Sequence, residues 1–414
     1  MDVEIITIGD ELLIGQVVDT NSAWMGQALN DLGFRVICRT AVGDVEEDII
    51  SAIGAAKRRA PLVLLTGGLG PTRDDLTLRT LCRYFGCQLH FSEAVYADIE
   101  RFFRLRGRPV NELTRLQAMV PDRCTVIRNQ AGTAPCTWFE REGFTLVSMP
   151  GVPSEMQWLM TAEVLPRLAK RFRRDLYIRH RTCWIGDYAE SELAMHLSGF
   201  EDGLPPFVKL AYLPQAGVIR LRLSASGPEP EAIDGSMAAL QTELEGLLEG
   251  HVLAAEDKPV EVIVGERLRE RGCTVGTAES CTGGAIAALL TSTPGSSAYF
   301  AGAIVAYANA VKRHVLGVSE DDLQQHGAVS REVVEQMAQG ALRVLGCDYA
   351  IATSGIAGPD GGTPDKPVGA VWIAVASKDG VTSRRHQFGA LRAQNVQRAT
   401  LTALLMLLKK LAAG

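Results

Sequence analysis

At 414 residues the chain exceeds one ordinary domain, and its 47% hydrophobic content provides for two or three buried cores. A formal net charge of −6 argues against a broad nucleic-acid surface, and no apolar stretch reaches membrane-spanning length. The nine cysteines lack metal-ligand spacing, and Met1 to Glu4 shows neither the basic start nor the apolar run of a secretion signal, so reduced thiols in the cytoplasm are expected.

Residues 3–8 read as a buried strand. Asp19-Thr20-Asn21-Ser22 is rich in capping residues and precedes the apolar positions Trp24, Met25, Ala28, Leu29 and Leu32, with Gly33 as the stop. A strand over 34–38, a helix from Asp44 through Ala56 and an apolar strand from Leu62 to Thr66 follow. This alternation predicts a doubly wound α/β fold with a parallel sheet and helices on both faces. The third strand ends in Thr66-Gly67-Gly68-Leu69-Gly70-Pro71-Thr72-Arg73-Asp74-Asp75-Leu76-Thr77. A glycine-rich turn at a strand's carboxyl end lets backbone N–H groups approach a phosphate. Asp74 and Asp75 then open the next helix; they serve its dipole, or hold a divalent cation shared with the ligand. Two further small-residue loops, 129–135 and 150–156, flank a hairpin-like segment from Trp138 to Met149 and extend the binding rim.

The texture changes after Arg171, Arg173 and Arg174, where a β-α-β-β-α order runs from Tyr177 to about Leu248. Gly186-Asp187-Tyr188-Ala189 is not the Gly-x-x-Gly loop of a KH-type RNA reader, so a structural or dimerising role is expected. The segment 249–258 reads as a linker. Beyond it come an amphipathic helix from Val260 to Arg271 and a short strand-like run to Gly276. Thr277-Ala278-Glu279-Ser280-Cys281-Thr282-Gly283-Gly284 then leads into a helix from Ala285. A hydroxyl on such a turn either caps the helix or acts as a nucleophile whose oxyanion the turn's N–H groups stabilise. Pro294 to Ser297 forms a turn, a strand runs from Tyr299 to Tyr307, and Asn309 caps a helix carrying Lys312. Tyr307 and Lys312 thus flank a strand-to-helix junction that can aim a phenol and an amine at one pocket. Lysine acts as a base only where burial or a nearby cation lowers its pKa. A strand from Asp348 to Thr353, the glycine-rich loop 354–362, two more strands and a closing helix headed by Arg392 complete the chain.

Ile8 to Gly15, Asp19-Thr20-Asn21 and Thr66 to Thr77 resemble the N-terminal half of the competence/damage-inducible protein CinA family. Ala278 to Gly284, Gly327 to Ser330 and Gly355 to Gly361 resemble its C-terminal half, and the motifs follow in family order over essentially the whole chain. The resemblance implies a molybdopterin-binding-like domain (1–172), a KH-type α+β module (173–252) with a dimerising role, and an α/β deamidase domain (258–414). For the last it implies hydrolysis of the carboxamide of nicotinamide mononucleotide (NMN) without a cofactor. Ser280 would be nucleophile, Lys312 base, Tyr307 proton relay or positioning group, and Arg392 a supporting cation. The backbone of the Cys281–Gly284 turn is the candidate oxyanion hole, with Thr282, Gly283 and Gly284 against the substrate, while Gly295, Ser296, Ser297, Gly355, Ala357 and Gly358 would contact phosphate and ribose. For the first domain it implies hydrolysis of ADP-ribose with Mg²⁺ or Co²⁺ on Glu11, Asp19, Asp74 and Asp75, and Gly67, Gly68, Gly70, Thr72 and Asn21 on the substrate. A binding module without turnover and a DNA-uptake factor are the alternatives, and the acidic charge speaks against the second. The sequence departs from the family pattern at Cys136, after Thr133-Ala134-Pro135, and at Ala390-Leu391, where an acidic partner for Arg392 is expected.

Overall fold

The computed structural model describes residues 1–72, 75–172, 177–186, 188–215, 218–256 and 258–413; Asp74, Arg173, Arg174 and Asp187 lie outside them. The chain forms two compact units, Met1–Arg179 with Ser226–Ile233, and His180–Ala225 with Asp234–Gly414.

The first unit is built on strands β1 (Asp2–Ile8), β2 (Arg35–Val42), β3 (Leu62–Thr66), β4 (Leu89–Phe91), β5 (Met119–Pro121), β6 (Thr125–Ile127), β7 (Cys136–Arg141) and β8 (Phe144–Met149). Six of them make one sheet in the order β2-β1-β3-β8-β7-β6. β1, β2, β3 and β8 run parallel, and β7 and β6 extend the edge antiparallel. The apolar run of β3 and the largely apolar β1, buried from Val3 to Ile8, are what strands covered on both faces require. Alternation then sorts their side chains. Val3, Ile5, Leu62, Leu64, Val147 and Met149 face one core with Met25 and Leu29. Ile6, Ile8, Val63, Leu65 and Leu146 face the other with Ile53, Leu81 and Phe85. Cys136 packs fully buried in the first core, so the departure there fills space between strands.

Two helix starts differ from the sequence reading. The helix expected from Asp44 begins at Glu46, because Asp44 exchanges bonds with Asp10: Asp10 N–H donates to Asp44 Oδ2, and Asp44 N–H to Asp10 Oδ1. The helix expected at Asp74 and Asp75 begins at Thr77.

In the second unit, β9 (Tyr177–Gly186), β10 (Val208–Gln215), β11 (Val218–Gly227) and β12 (Val252–Ala254) pair in the order β10-β11-β9-β12. A five-stranded sheet of β13 (Val275–Glu279), β14 (Phe300–Val305), β15 (Tyr349–Gly355), β16 (Ala370–Ser377) and β17 (Gly380–Gln387) has the order β14-β13-β15-β16-β17. The first three of that order are parallel and the last two antiparallel. One face carries large residues, Val275, Ile351, Val371, Ile373 and Val375, against helices Val260–Glu270, Ala285–Thr291 and Arg392–Ala413, and Trp184 and Val218 join this cluster. The other face is lined by Ala278, Ala350, Ala352, Ala374 and Ala376 beneath helix Arg331–Leu345. The helix also packs against the segment that follows helix Asn309–His314, where a Cβ added at Gly340 would lie 2.0 Å from the Leu316 carbonyl oxygen. All nine cysteines are free thiols, and no helix of the described residues is long and apolar enough to cross a membrane.

Candidate active site

Parallel register brings the carboxyl ends of β13, β14 and β15 together, with Glu279 opposite both Val305 and Thr353. Ala306 N–H donates to Glu279 O at 2.8 Å and Ser280 N–H to Thr353 O at 3.0 Å, which fixes the chain on either side of the Ser280 turn. Helix Asn309–His314 starts just after β14, with Ala308 rather than Asn309 in the capping position. Lys312 on that helix is only 1% exposed. Its Nζ lies 2.8 Å from Ala306 O, 3.2 Å from Tyr307 O and 3.2 Å from Ser280 Oγ. Carbonyl oxygens only accept, so two of its contacts are N–H donors. A neutral amine then has its lone pair left for the serine hydroxyl. Burial holds the Lys312 amine below the usual lysine range, and the nearby Cys281 thiol opposes this weakly. The Cys281 thiol is pushed up to about 11 by burial and so stays protonated near neutral pH, while it is the Ser280 hydroxyl that contacts the Lys312 amine.

Ser280 does not cap the following helix. Its capping position belongs to Gly284, and the carboxylate of Glu279 takes the helix N-terminus. Fully buried, Glu279 accepts from Gly284 N at 3.0 Å, Ile286 N at 3.1 Å, Ala287 N at 2.9 Å and Thr277 Oγ1 at 3.2 Å. Gly283 N–H is bound to Ser280 O at 3.1 Å. The Gly283 and Gly284 amides expected to stabilise an oxyanion are therefore committed elsewhere. The Cys281 and Thr282 amides are the turn's remaining donors among the described residues. Thr282 is 4% exposed and its hydroxyl is 2.8 Å from that of Thr353, so it positions the turn from beneath.

Tyr307 is 59% exposed and its hydroxyl accepts from Arg392 Nη2 at 2.9 Å. Arg392 Nη1 donates to Gly358 O at 3.0 Å. Among the described residues no carboxylate lies within 4.0 Å of Arg392, in keeping with the Ala390-Leu391 departure. Asn395 Nδ2 donates to Ala357 O and Gly389 O, both at 2.9 Å, and ties the glycine-rich loop to the segment before Arg392. Gly355 is needed for packing, since a Cβ there would meet Val371 Cγ2 at 2.6 Å; Gly358 has φ 88° and offers its carbonyl to Arg392. Gly295, Ser296 and Ser297 lie at the wrong edge. They precede Phe300, which pairs with Val275 at the start of β13, so a strand of about 3.3 Å per residue separates them from Ser280 by roughly 16 Å.

In the first unit the ends of β1, β3 and β8 border a cavity of about 80 Å³ lined by Glu11, Asp19, Asn21, Thr66 and Gly67 among others. Asp19 caps helix Thr20–Asp31 through Ser22 N–H and also accepts from Thr7 Oγ1 at 3.2 Å. Asn21 donates to Gly151 O at 2.7 Å, while its buried Oδ1 has no partner. Gly67 is required by φ 111° and by the Ile8 carbonyl, 2.2 Å from where its Cβ would stand. Gly68 sits equally close to Thr77 Oγ1. Asp75 turns back over the loop: Oδ1 accepts from Gly70 N at 2.7 Å, and Oδ2 from Thr72 N at 2.8 Å and Thr72 Oγ1 at 2.6 Å. It holds two of the amides expected to face phosphate, those of Gly70 and Thr72, while the Gly67 amide donates to Met149 O at 3.2 Å. Glu11, Asp19 and Asp75 are not gathered around one point, and no group of three or more His, Cys, Asp or Glu suited to a metal occurs among the described residues.

Glu279, Thr353 and Asn395 were not singled out from the sequence. The signal for Glu279 was present: a carboxylate inside an apolar strand, five residues before a helix-opening glycine.

Residues 4–170 match the model of a probable molybdopterin binding domain, and 257–411 that of the CinA C-terminal domain. A CinA-like protein of Cytophaga hutchinsonii is 41% identical over 410 residues, covering 98% of this chain and 97% of its own. One from Flavobacterium psychrophilum is 40% identical over 416 residues, covering 99% of each. A crystal structure of a competence-damaged protein (CinA) superfamily protein from Klebsiella pneumoniae is 35% identical, covers 38% of this chain and 100% of its own, and superposes with a TM-score of 0.37.

Proposed function

The chain belongs to the CinA-like protein family, and from that premise we propose that its C-terminal domain is an NMN amidohydrolase working through Ser280 and Lys312. The observation that carries this reading is the buried amine 3.2 Å from the serine hydroxyl, with two backbone carbonyls on its other sides. Ser280 gives its proton to Lys312 Nζ as Oγ bonds to the carboxamide carbon. Negative charge on the carbonyl oxygen is met by the Cys281 and Thr282 amides. The C–N bond then breaks, and the nitrogen leaves as ammonia with the proton from Lys312. A water, deprotonated by the same amine, attacks the acyl-serine and releases the carboxylate. Arg392 holds the Tyr307 phenol at the open side and adds positive charge for the nucleotide phosphate. Ammonia release from NMN by the full chain tests this; undiminished release by Ser280→Ala would remove the serine from the reaction.

For the N-terminal domain, ADP-ribose hydrolysis is the proposed activity and ligand binding without turnover the second reading. The orphaned Asn21 Oδ1 in the small cavity favours a bound group carrying N–H or O–H donors. The described acidic residues do not fit a resident divalent cation, because both oxygens of Asp75 are taken by the loop and no group of three or more such side chains is suited to a metal. AMP formation from ADP-ribose, with and without chelator, separates the two readings: none in either condition leaves binding alone.

A further inference from the structure

Asn395 lies in the first turn of the closing helix Arg392–Ala413, three residues past Arg392, so the two side chains are neighbours on the helix surface. It is only 1% exposed. Its side-chain NH2 donates to Ala357 O and to Gly389 O, each at 2.9 Å, and its buried Oδ1 has no partner, so these two donated bonds are all the hydrogen bonding the side chain does. Arg392 Nη1 donates to Gly358 O at 3.0 Å, the next carbonyl along the loop. Two side chains of one helix turn thus grip consecutive carbonyls, and the second Asn395 bond ties in the segment that leads into the helix. The backbones are pressed close here: a Cβ added at Gly358 would lie 3.1 Å from Ala390 O, and one at Gly369 2.4 Å from Gly389 O. Beyond the clamp, Arg392 Nη2 reaches the exposed phenol of Tyr307 at 2.9 Å.

We propose that Asn395 is a positioning residue for the reaction: it fixes the glycine-rich loop against the helix start, and through Gly358 it places Arg392 where the anionic end of the substrate arrives. This role rests on the NMN amidohydrolase reading. A long arginine side chain gives up rotamer freedom when it is held, so it keeps one orientation only where its acceptors are themselves fixed. Gly358 O and the Tyr307 hydroxyl are the two acceptors of Arg392, and Asn395 anchors the residue just before the first of them. Asn395 is too deeply buried to touch substrate. It therefore governs how tightly substrate is held and leaves the Ser280–Lys312 chemistry alone.

A double-mutant cycle on NMN hydrolysis by the full chain tests this, with KM and kcat read separately. Asn395→Ala should raise KM about tenfold and leave kcat within about twofold of the parent. Arg392→Ala should raise KM at least as much, and adding Asn395→Ala to it should cost less than about twofold more, because the arginine it served is gone. Asn395→Ser, which keeps one donor, should fall between the parent and Asn395→Ala. Each variant's melting curve reports that it is folded. A fall in kcat with KM unchanged, or the full penalty in the Arg392→Ala background, would overturn the proposal. Hydrogen exchange needs no turnover: Asn395→Ala should speed it in segments 354–362 and 388–396 and leave Val275–Glu279 as in the parent. Unchanged exchange in those two segments overturns the clamp. A parent that releases no ammonia from NMN, with the faster exchange present in Asn395→Ala, overturns the NMN reading and keeps the clamp.

Discussion

The two glycine-rich turns, Gly67 to Gly70 in the first unit and Gly283-Gly284 in the second, both follow a parallel strand at its carboxyl end, and both are closed by a carboxylate of the chain itself. They differ in where that carboxylate comes from. Glu279 arises from the strand before its turn, is fully buried, and neutralises the helix N-terminus for good. Asp75 arises after its turn, is half-buried, and holds Gly70 and Thr72 from the solvent side, as an incoming anion would. A glycine turn at a strand end is thus an anion site only after its donors have been counted. In the second unit the count leaves two amides beside a serine and a buried amine. In the first, Met149 O takes the Gly67 amide, and an external anion reaches the Gly70 and Thr72 amides only by displacing Asp75.

The sharpest way to break this contrast is at the amine. Lys312→Ala should lower ammonia release from NMN by about 10³-fold or more, measured as kcat/KM, since it removes the base of both half-reactions. In the parent, activity should rise with pH through the Lys312 pKa, which lies below the ordinary lysine range. Stability carries the same sign. The unfolded lysine binds a proton more tightly than the folded one, so unfolding free energy climbs with pH between the folded and the unfolded pKa and is level on either side of that window. Lys312→Met should flatten that slope in melts recorded from neutral to alkaline pH. Next in size, Glu279→Gln turns donors towards donors at the helix start and should cost about 2–3 kcal/mol in denaturant unfolding. An unchanged midpoint would show that the permanent cap is dispensable. Asp75→Ala should cost only about 1 kcal/mol while raising the affinity of the first unit's loop for inorganic phosphate severalfold by titration calorimetry. A drop in phosphate affinity would place Asp75 among the ligand contacts. Smallest of all, Tyr307→Phe removes an exposed bond and should shift stability by less than about 0.5 kcal/mol, with its effect confined to a severalfold change in NMN kinetics.

Much of the framework was legible because the apolar run of β3 and the largely apolar β1 lie between helical patterns, an alternation that calls for a parallel sheet covered on both faces. Ser280 and Lys312 could be named, but their meeting depends on the register that sets Glu279 beside Val305, which no spacing along the chain encodes. The same register removes Gly295 to Ser297 from the site: they are near in sequence to the Ser280 helix but stand at the strand's other end. Short polar residues misled most. Asp44 and Asp75 have the composition of helix caps, yet Asp44 accepts from Asp10 N–H and Asp75 from the Gly70 and Thr72 amides, because a short carboxylate bonds equally well to any nearby backbone N–H. Thr353 and Asn395 act through contacts with residues 71 and 38 positions away, and neither belongs to a pattern that a single chain displays.

The alanine floor of the five-stranded sheet decides how this fold can diversify. Ala278 and Ala352 lie directly below the strand ends that carry Ser280 and Thr353, and Gly340 of the helix beneath is pressed against the Leu316 carbonyl. A larger side chain there lifts the helix away and costs about 1–3 kcal/mol in overpacking before it reshapes anything above. Selection for bulkier amides should therefore collect its changes at exposed Val305 and Leu391 and in the loop from 356 to 369, and leave the floor as it is.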